Sequence, residues 1–192
     1  MLPHDKCNWI IKNKIMIGAI PRIQDLENII SYGITHFVCL TNLSHKIDFK
    51  NQYLKILQNN NCNFIYKPMP NGGIISDVLT NKLVDSIINI INENEKTCFY
   101  VHCEGGIGRA GTICSIILGK LQNIDAIDSI NKVDTLRKND RPDKSRLFVP
   151  LPETQKQVDQ IIRILGNPKN LPIPNRKDRT WFKKIKQIRK NK

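Results

Sequence analysis

One glycine-rich stretch of this chain carries a cysteine and an arginine that are separated by five residues. The stretch consists of His102, Cys103, Glu104, Gly105, Gly106, Ile107, Gly108 and Arg109. A cysteine thiolate is a strong nucleophile, and the planar guanidinium of an arginine can hold two oxygens of one phosphate group. The spacing predicts that Cys103 attacks phosphorus while Arg109 stabilises the charge on the phosphate oxygens.

The segments on either side of this stretch indicate how it could bind an anion. Residues 98–101 form an apolar run typical of a short buried strand, and residues 111–121 are typical of an apolar helix. Three glycines in the connecting loop allow successive N–H groups to point at one spot beside a helix N-terminus. We therefore expect residues 104–109 to bind a phosphate dianion, and the same positive field to favour the thiolate of Cys103.

The alternative is that Cys103 is only a small apolar residue beside a glycine turn. The motif nevertheless resembles the signature of the cysteine-dependent protein tyrosine phosphatases. HCEGGIGRAGT, residues 102–112, is most similar to the dual-specificity branch, and within it to the kinase-associated phosphatase group. The resemblance covers most of residues 9–165. It implies a single-domain α/β fold with a central, mostly parallel, twisted sheet of about five strands flanked by helices.

Hydrophobic periodicity along the chain supports the same architecture. Residues 9–20 predict a hairpin, residues 35–41 and 63–69 predict strands, and residues 24–32 and 50–59 predict helices. Further helices are expected from residue 77 to about residue 91, over 125–137 and over 153–165, the last of which ends at Gly166. Strands that alternate with helices indicate an α/β layer fold.

The resemblance also implies a general acid, normally an aspartate on a loop about thirty residues before the cysteine. In this chain Asn71 stands at that position, in the loop 68–73 and thirty-two residues before Cys103. An amide is not a useful proton donor. The protonation of the leaving oxygen, which a general acid accelerates about 10²–10⁴-fold, therefore lacks its usual donor. Asp77 is the nearest substitute, and it is either a displaced acid or the cap of the following helix.

A second departure from the family follows the arginine. Phosphatases of this kind usually have Ser or Thr there, and its hydroxyl helps the thiolate to leave when water hydrolyses the phosphocysteine. Ala110 occupies this position, and Thr112 is not expected to replace it. Together with Asn71, Ala110 predicts slow turnover on ordinary phosphomonoesters.

Other residues are expected to support the loop. His102 is expected to hydrogen-bond the backbone and fix the loop, and Arg141 to be structural. Glu104 is expected to face solvent, with a contribution to substrate choice as an option. Gln157 lies in a segment that resembles the family's late segment, where a glutamine positions the hydrolytic water, and the alternative for Gln157 is a plain helix-surface residue.

Cys39 lies on a predicted strand that, by the family's topology, should neighbour the strand of Cys103. A thiolate beside a second thiol can be trapped as a reversible disulfide. Cys39 is therefore either a resolving thiol or a small buried residue. The six cysteines lack CxxC spacing, and neither a metal nor a cofactor is expected.

The basic charge of the chain is concentrated in its last residues. Residues 169–192 contain ten Lys or Arg and one Asp, so they carry +9 of the net +13 and leave +4 for residues 1–168. We therefore expect a dual-specificity phosphatase-like domain over 1–168 and a basic tail over 169–192. Trp181, Ile185 and Ile188 have helical spacing, which predicts an amphipathic helix that contacts RNA, an anionic membrane or a protein, or packs on the domain.

Three functions follow from these features. The first is a phosphatase of low turnover that removes phosphate from tyrosine or serine/threonine of a phosphorylated protein. The second is an RNA 5′-phosphatase acting on phosphoanhydrides, whose good leaving group needs a general acid less. The third is a pseudophosphatase that binds phosphorylated partners. With no long apolar segment and no signal peptide in the sequence, we expect an intracellular location, cytoplasmic or nuclear.

Overall fold

The computed structural model of the protein describes residues 2–176. Five strands and six α-helices form this part of the chain, and helices alternate with strands from α1 to α4, as the periodicity predicts. They are β1 (Cys7–Ile11), β2 (Ile15–Ala19), α1 (Leu26–Ser31), β3 (His36–Cys39), α2 (Ile47–Asn59), β4 (Asn63–Tyr66), α3 (Asp77–Glu93), β5 (Phe99–Cys103), α4 (Gly108–Gln122), α5 (Ala126–Asp140) and α6 (Gln155–Leu165). Gly166 ends α6 with a φ of 79°, as expected.

The strands form one sheet in the order β1-β2-β5-β3-β4. Only the β1–β2 hairpin is antiparallel, and the other three pairs are parallel, which confirms the predicted mostly parallel sheet. The carboxyl ends of parallel strands meet at one edge of a sheet, which is where α/β proteins place their ligands. Strand β5 is central in the sheet, so its last residue, Cys103, lies in the middle of that edge.

The two faces of the sheet pack against different helices. Val38 and Val101 lie on the face covered by the buried side chains of α3, α4 and α6, whereas Phe37 and Tyr100 lie on the face covered by α1 and α2. Helix α4 is buried from Gly108 to Gly119 because α3, α5 and α6 surround the sides that the sheet leaves free. Burying each large apolar side chain contributes about 1.5–3 kcal/mol, which holds the helix firmly against β5.

The residues just after 168 contact the domain rather than leave it. Lys169 Nζ pairs with Asp128 at 2.6 Å, and Arg176 donates to the carbonyl of Pro152 at 3.0 Å. The predicted tail helix, with Trp181, lies outside the described residues. Within residues 2–176, none of the helices is both long and apolar enough to cross a bilayer.

Candidate active site

Cys103 ends β5 and is almost fully buried, with 3% of its surface exposed. Residues 104–107 then turn sharply, and α4 begins at Gly108, three residues earlier than the sequence predicts. The side chain of Ile107 is buried in the core, so the loop presents its backbone rather than this side chain to a ligand. The nucleophile and a helix N-terminus are therefore joined by a single tight loop.

Arg141 holds this loop from its outer side. Its Nη1 donates to the carbonyl of Gly105 at 3.3 Å and its Nη2 to that of Gly106 at 3.1 Å, while Nε donates to Asn8 Oδ1 at 3.3 Å. In a trans peptide the N–H points opposite to the C=O. The N–H groups of Gly106 and Ile107 therefore face the inner side of the loop, as an anion-binding nest requires.

The environment of Arg141 is unusual for an arginine. It is 4% exposed, and its three hydrogen bonds go to neutral oxygens. Burial and the nearby Arg137 lower the pKa of Arg141 to about 10. The structural role expected of Arg141 is therefore to orient the carbonyls of the phosphate loop.

Two of the loop glycines lie close to other parts of the protein. Gly106 has a φ of 63°, in the left-handed region, and a Cβ there would collide with the backbone of Gly18. A Cβ on Gly105 would collide with the guanidinium of Arg146. The positive φ and the close approach of the β2 backbone explain why position 106 is glycine, whereas a side chain at position 105 would have to displace the Arg146 guanidinium.

Arg109 lies in the first turn of α4 and is 5% exposed. Its Nη1 donates to the carbonyls of Leu40 and Met69, both at 3.2 Å. Its Nη2 donates to Asn71 Oδ1 at 3.4 Å. These bonds fix the plane of the guanidinium between the end of β3 and the loop 68–73.

An open cleft runs beside the phosphate loop, and Asn71 and Arg109 both line it. The other residues that line it are Thr41, Asn42, Pro68, Met69, Pro70 and Glu104. The structure therefore brings Asn71 to the site, where its amide oxygen accepts a hydrogen bond from Arg109. A nucleophile, inward N–H groups and a fixed guanidinium together form a site suited to a phosphate group.

Comparison with known families identifies this arrangement. The model of PTP-SAK, described as a Swiss Army Knife protein with a DSP-PTPase phosphatase domain, matches residues 4–137, more than half of the chain. The chain belongs to this family. It therefore carries a phosphatase domain of the dual-specificity branch, as the motif at 102–112 predicts.

Solved structures of phosphatases share the fold of this PTP-SAK domain. Tk-PTP in its active form superposes with a TM-score of 0.66 at 17% identity, covering 84% of this chain and 96% of Tk-PTP. Kinase associated phosphatase, with its catalytic-site cysteine substituted by serine, gives 0.65 at 15% identity, covering 84% and 93%. The human tyrosine phosphatase-like serine/threonine/tyrosine-interacting protein gives 0.64 at 13% identity, covering 83% and 95%. No curated protein matches the chain by sequence.

Asp77 is not a displaced acid of the PTP-SAK site. Its carboxylate accepts hydrogen bonds from Arg163 at 2.8 and 3.0 Å and from Gln160 at 2.8 Å. The Arg163 guanidinium, with Gln160, lowers the pKa of Asp77 to about 2, so this carboxyl holds no proton near neutral pH. The capping role is wrong as well, because Ser76 Oγ accepts the N–H of Leu79 at 3.3 Å and caps α3.

We expect Asp77→Asn to leave catalysis almost unchanged. A carboxylate that is paired on the surface and already ionised contributes no proton transfer, so kcat/KM on an aryl phosphate should stay within about twofold. Losing the exposed Arg163 pair should lower the free energy of unfolding by no more than about 1 kcal/mol. Steady-state assays and urea denaturation check both values, and a tenfold loss of kcat/KM would show that Asp77 acts as an acid.

Ala110 and Thr112 lie on α4 as the sequence predicts. Ala110 is fully buried, and the Thr112 hydroxyl donates to the carbonyl of Gly108 at 2.9 Å. Because that hydroxyl is engaged by the helix backbone, Thr112 does not replace the hydroxyl that Ala110 lacks. The PTP-SAK loop therefore has no hydroxyl directly after its arginine.

His102 is held by a side chain, not by the backbone as predicted. Its Nε2 shares a hydrogen bond of 2.9 Å with the hydroxyl of Tyr53, and Nδ1 has no hydrogen-bond partner among the described residues. The ring is fully buried, and desolvation lowers the pKa of His102 to about 3. The imidazole is therefore neutral and acts as a packing element behind the loop.

This burial predicts a specific dependence of stability on pH. The unfolded chain protonates His102 below a pH of about 6.5, whereas the folded chain does not until about pH 3. The contribution of His102 to the free energy of unfolding is therefore fully present above pH 6.5. It falls by about 1.4 kcal/mol per pH unit on acidification below that value. Denaturation curves between pH 7.5 and 4.5 should show this slope reduced in His102→Gln, and parallel curves for the two proteins would contradict it.

Cys39 faces away from Cys103. Cys39 pairs with His102 in the β3–β5 ladder, and paired residues share a face, whereas the next residue, Cys103, projects to the other face. In agreement, the two thiols belong to different core clusters. A disulfide requires converging side chains, and burial raises the pKa of the Cys39 thiol to about 12. The prediction of a resolving thiol is therefore wrong, and Cys39 is a buried core residue.

Gln157 is fully buried, which excludes the alternative of a helix-surface residue. Its Oε1 accepts the N–H of Thr154 at 3.2 Å, and its Nε2 donates to the carbonyl of Gly73 at 3.1 Å. It thereby ties α6 to the loop that carries Asn71. Its terminal atoms lie 3.2 Å from the place a Cβ on Gly108 would occupy, so Gln157 is next to the phosphate loop. Its role in positioning water stays a prediction.

Glu104 is exposed as expected, with 56% of its side chain accessible and an ion pair to Lys46 at 3.4 Å. Its contribution to substrate choice stays a prediction. Sequence reasoning missed the contacts that Arg146 and Glu153 make with the loop. Arg146 belongs to no motif, and in the late segment 153–157 the resemblance assigns a role to Gln157 and none to Glu153. Within residues 2–176, no group of three His, Cys, Asp or Glu side chains is arranged to hold a metal ion.

Proposed function

We propose that this phosphatase domain removes phosphate from tyrosine, serine or threonine of a phosphorylated protein through a phosphocysteine on Cys103. The observation that carries the proposal is the orientation of the loop by Arg141, which turns two N–H groups inward next to Cys103 and Arg109. Such a loop stabilises the oxygens of a phosphoryl group as charge develops on them. The open cleft beside it leaves room for the rest of the substrate.

The reaction would proceed in two displacements at phosphorus. The Cys103 thiolate attacks in line, the bond from phosphorus to the ester oxygen breaks, and the phosphoryl group is transferred to Sγ. The inward N–H groups and Arg109 hold the equatorial oxygens in both steps. Water then attacks phosphorus, the P–S bond breaks, and inorganic phosphate leaves the regenerated thiolate.

The second displacement is expected to limit turnover, because Ala110 supplies no hydroxyl to the leaving thiolate. We expect a rapid burst of one phenol per active site from an aryl phosphate, followed by slow release of phosphate. Ala110→Ser should raise the slow rate by about tenfold, a modest effect for one added hydrogen bond to a charged group, and should reduce the burst. Stopped-flow kinetics measure both phases.

Trapping the intermediate tests the function directly. Wild type and Ala110→Ser are mixed with an aryl phosphate or a phosphopeptide, quenched in acid and analysed by mass spectrometry. A phosphate adduct on Cys103 that accumulates more in wild type than in Ala110→Ser is expected. Turnover without any adduct would contradict the phosphocysteine route.

A phospho-binding pseudophosphatase is the second candidate. It is favoured by Asn71, whose amide engages the Arg109 guanidinium and has no proton to transfer. This function predicts phosphopeptide binding with wild-type turnover as low as that of Cys103→Ser. Parallel assays on 5′-triphosphorylated RNA test the RNA phosphatase, which would hydrolyse that substrate faster than the phosphopeptide.

A further inference from the structure

A second carboxyl group lies at the phosphate loop, and the function proposed above does not use it. Glu153 precedes α6, outside the residues that match the PTP-SAK family. Its side chain is only 17% exposed. Its Oε2 lies 2.5 Å from the place a Cβ on Gly108 would occupy, so the carboxyl group touches the last residue before Arg109. A side chain at Gly108 would displace this carboxyl group.

Arg146 holds the other oxygen of this carboxyl group. Its Nη2 donates to Glu153 Oε1 at 3.4 Å, and its guanidinium lies over Gly105. The pair of Arg146 and Glu153 therefore spans the loop from Gly105 to Gly108.

The segment of Glu153 is also tied to the loop that carries Asn71. The Thr154 hydroxyl donates to the carbonyl of Gly72 at 3.0 Å, and Gln157 donates to that of Gly73 at 3.1 Å. Glu153 is thus held between the phosphate loop and the position where the family keeps its acid. Two other carboxyl groups near the site differ from Glu153 in their surroundings. Asp77 is bound to Arg163 and Glu104 is exposed, whereas Glu153 is largely buried at the loop.

Burial and the charged neighbours of this carboxyl group act on its pKa in opposite directions. Burial raises the pKa of Glu153, while Arg146, and more weakly Arg109 and Arg137, oppose that rise. A carboxyl group with a raised pKa keeps a proton closer to neutral pH and can still release it. That is the property of a residue that donates a proton in one step and accepts one in the next.

We propose that Glu153 is the acid and base of this phosphatase, in place of the aspartate that Asn71 replaces. The proposal rests on the phosphocysteine route described above. In the first step the Cys103 thiolate displaces the ester oxygen, and the proton of the Glu153 carboxyl group passes to that oxygen as the P–O bond breaks. In the second step water attacks phosphorus, its proton passes to the Glu153 carboxylate, and the P–S electrons return to Cys103.

The leaving group distinguishes this role from a structural one. Phenolate is a poor leaving group that needs a proton, whereas 4-nitrophenolate leaves readily without one. Glu153→Gln should lower kcat/KM for phenyl phosphate by about 100-fold, but only a few-fold for 4-nitrophenyl phosphate. Glu93→Gln, which changes an exposed carboxylate at the end of α3, should alter neither value.

A pH profile provides the second measurement. The fall of kcat/KM at high pH should disappear in Glu153→Gln and move to higher pH in Arg146→Gln, because Arg146 favours the ionised carboxyl group. Loss by the same factor on both esters, or an unchanged profile in Glu153→Gln, would overturn the proposal. If phosphate release by wild type equals that of Cys103→Ser, the phosphatase function itself fails, which is a separate outcome.

Discussion

Replacing Cys103 with serine is expected to lower phosphate release by at least about 10⁴-fold, because removing a nucleophile stops the first displacement. A serine hydroxyl ionises far less readily than a thiol. The residue before it, His102, is fully buried, is hydrogen-bonded to Tyr53 and has a pKa of about 3, so it is too weak a base to activate that hydroxyl. The substituted atom is nearly the same size and is buried, so the loop and Arg109 should remain in place. Phosphopeptide affinity should therefore be kept while turnover is lost.

Cys98→Ser is the matched control for this variant. Cys98 is buried to the same 3% and directly precedes β5, but it lies at the opposite end of the strand from the loop. Turnover by Cys98→Ser should stay within about threefold of wild type, although a buried serine lowers the free energy of unfolding. Phosphate release and fluorescence-polarisation binding measure the two properties. If Cys103→Ser retains turnover, Cys103 is not the nucleophile.

Much of the fold follows from short-range patterns in the sequence. The apolar runs of β3 and β5 and the four-residue spacing of Leu83, Ile87 and Ile91 in α3 are properties of neighbouring residues, so they predict the elements directly. The sequence predicts the start of α4 three residues too late because Gly108, Arg109 and Ala110 lack an apolar periodicity. Phosphate-loop geometry, not helix propensity, begins that helix.

Some residues of the site can be recognised from local sequence patterns, and others reach it only through the tertiary fold. Cys103 and Arg109 are recognisable because the chemistry needs them at a fixed spacing in one loop. Arg141 reaches the loop only through the tertiary fold, since α5 must pack beside β1 and α4 for its guanidinium to meet the carbonyls. The sequence predicts a structural role for Arg141, but no local pattern indicates which oxygens its guanidinium meets.

The errors at Asp77 and Cys39 have a related cause. The position of Asp77 near the acid loop favours a catalytic role, but its partner Arg163 comes from α6, eighty-six residues away. The predicted neighbourhood of the Cys39 and Cys103 strands is confirmed, but the register decides which face a side chain occupies. A change of one residue in that register would have put the two thiols on the same face.

Arg109→Lys is expected to lower kcat/KM on aryl phosphates by about 10³-fold. The guanidinium of Arg109 donates to Leu40, Met69 and Asn71 while its plane is held toward the cleft. A lysine ammonium is a single point, so it cannot hold the carbonyls of Leu40 and Met69 and also two phosphate oxygens. The loss should appear mainly in kcat, since the equatorial charge is greatest in the transition state.

A matched control separates this effect from the chemical change of arginine to lysine. Arg22→Lys alters an exposed arginine that pairs with Asp25, and it should leave both kinetic constants unchanged. Replacing Arg109 also leaves one of two buried carbonyls unpaired, so its free energy of unfolding should fall by about 1–3 kcal/mol. Assays well below the melting temperature keep the two effects apart. If Arg109→Lys retains wild-type kcat, the bidentate contact to phosphate is wrong, and the guanidinium only links β3 to the loop 68–73.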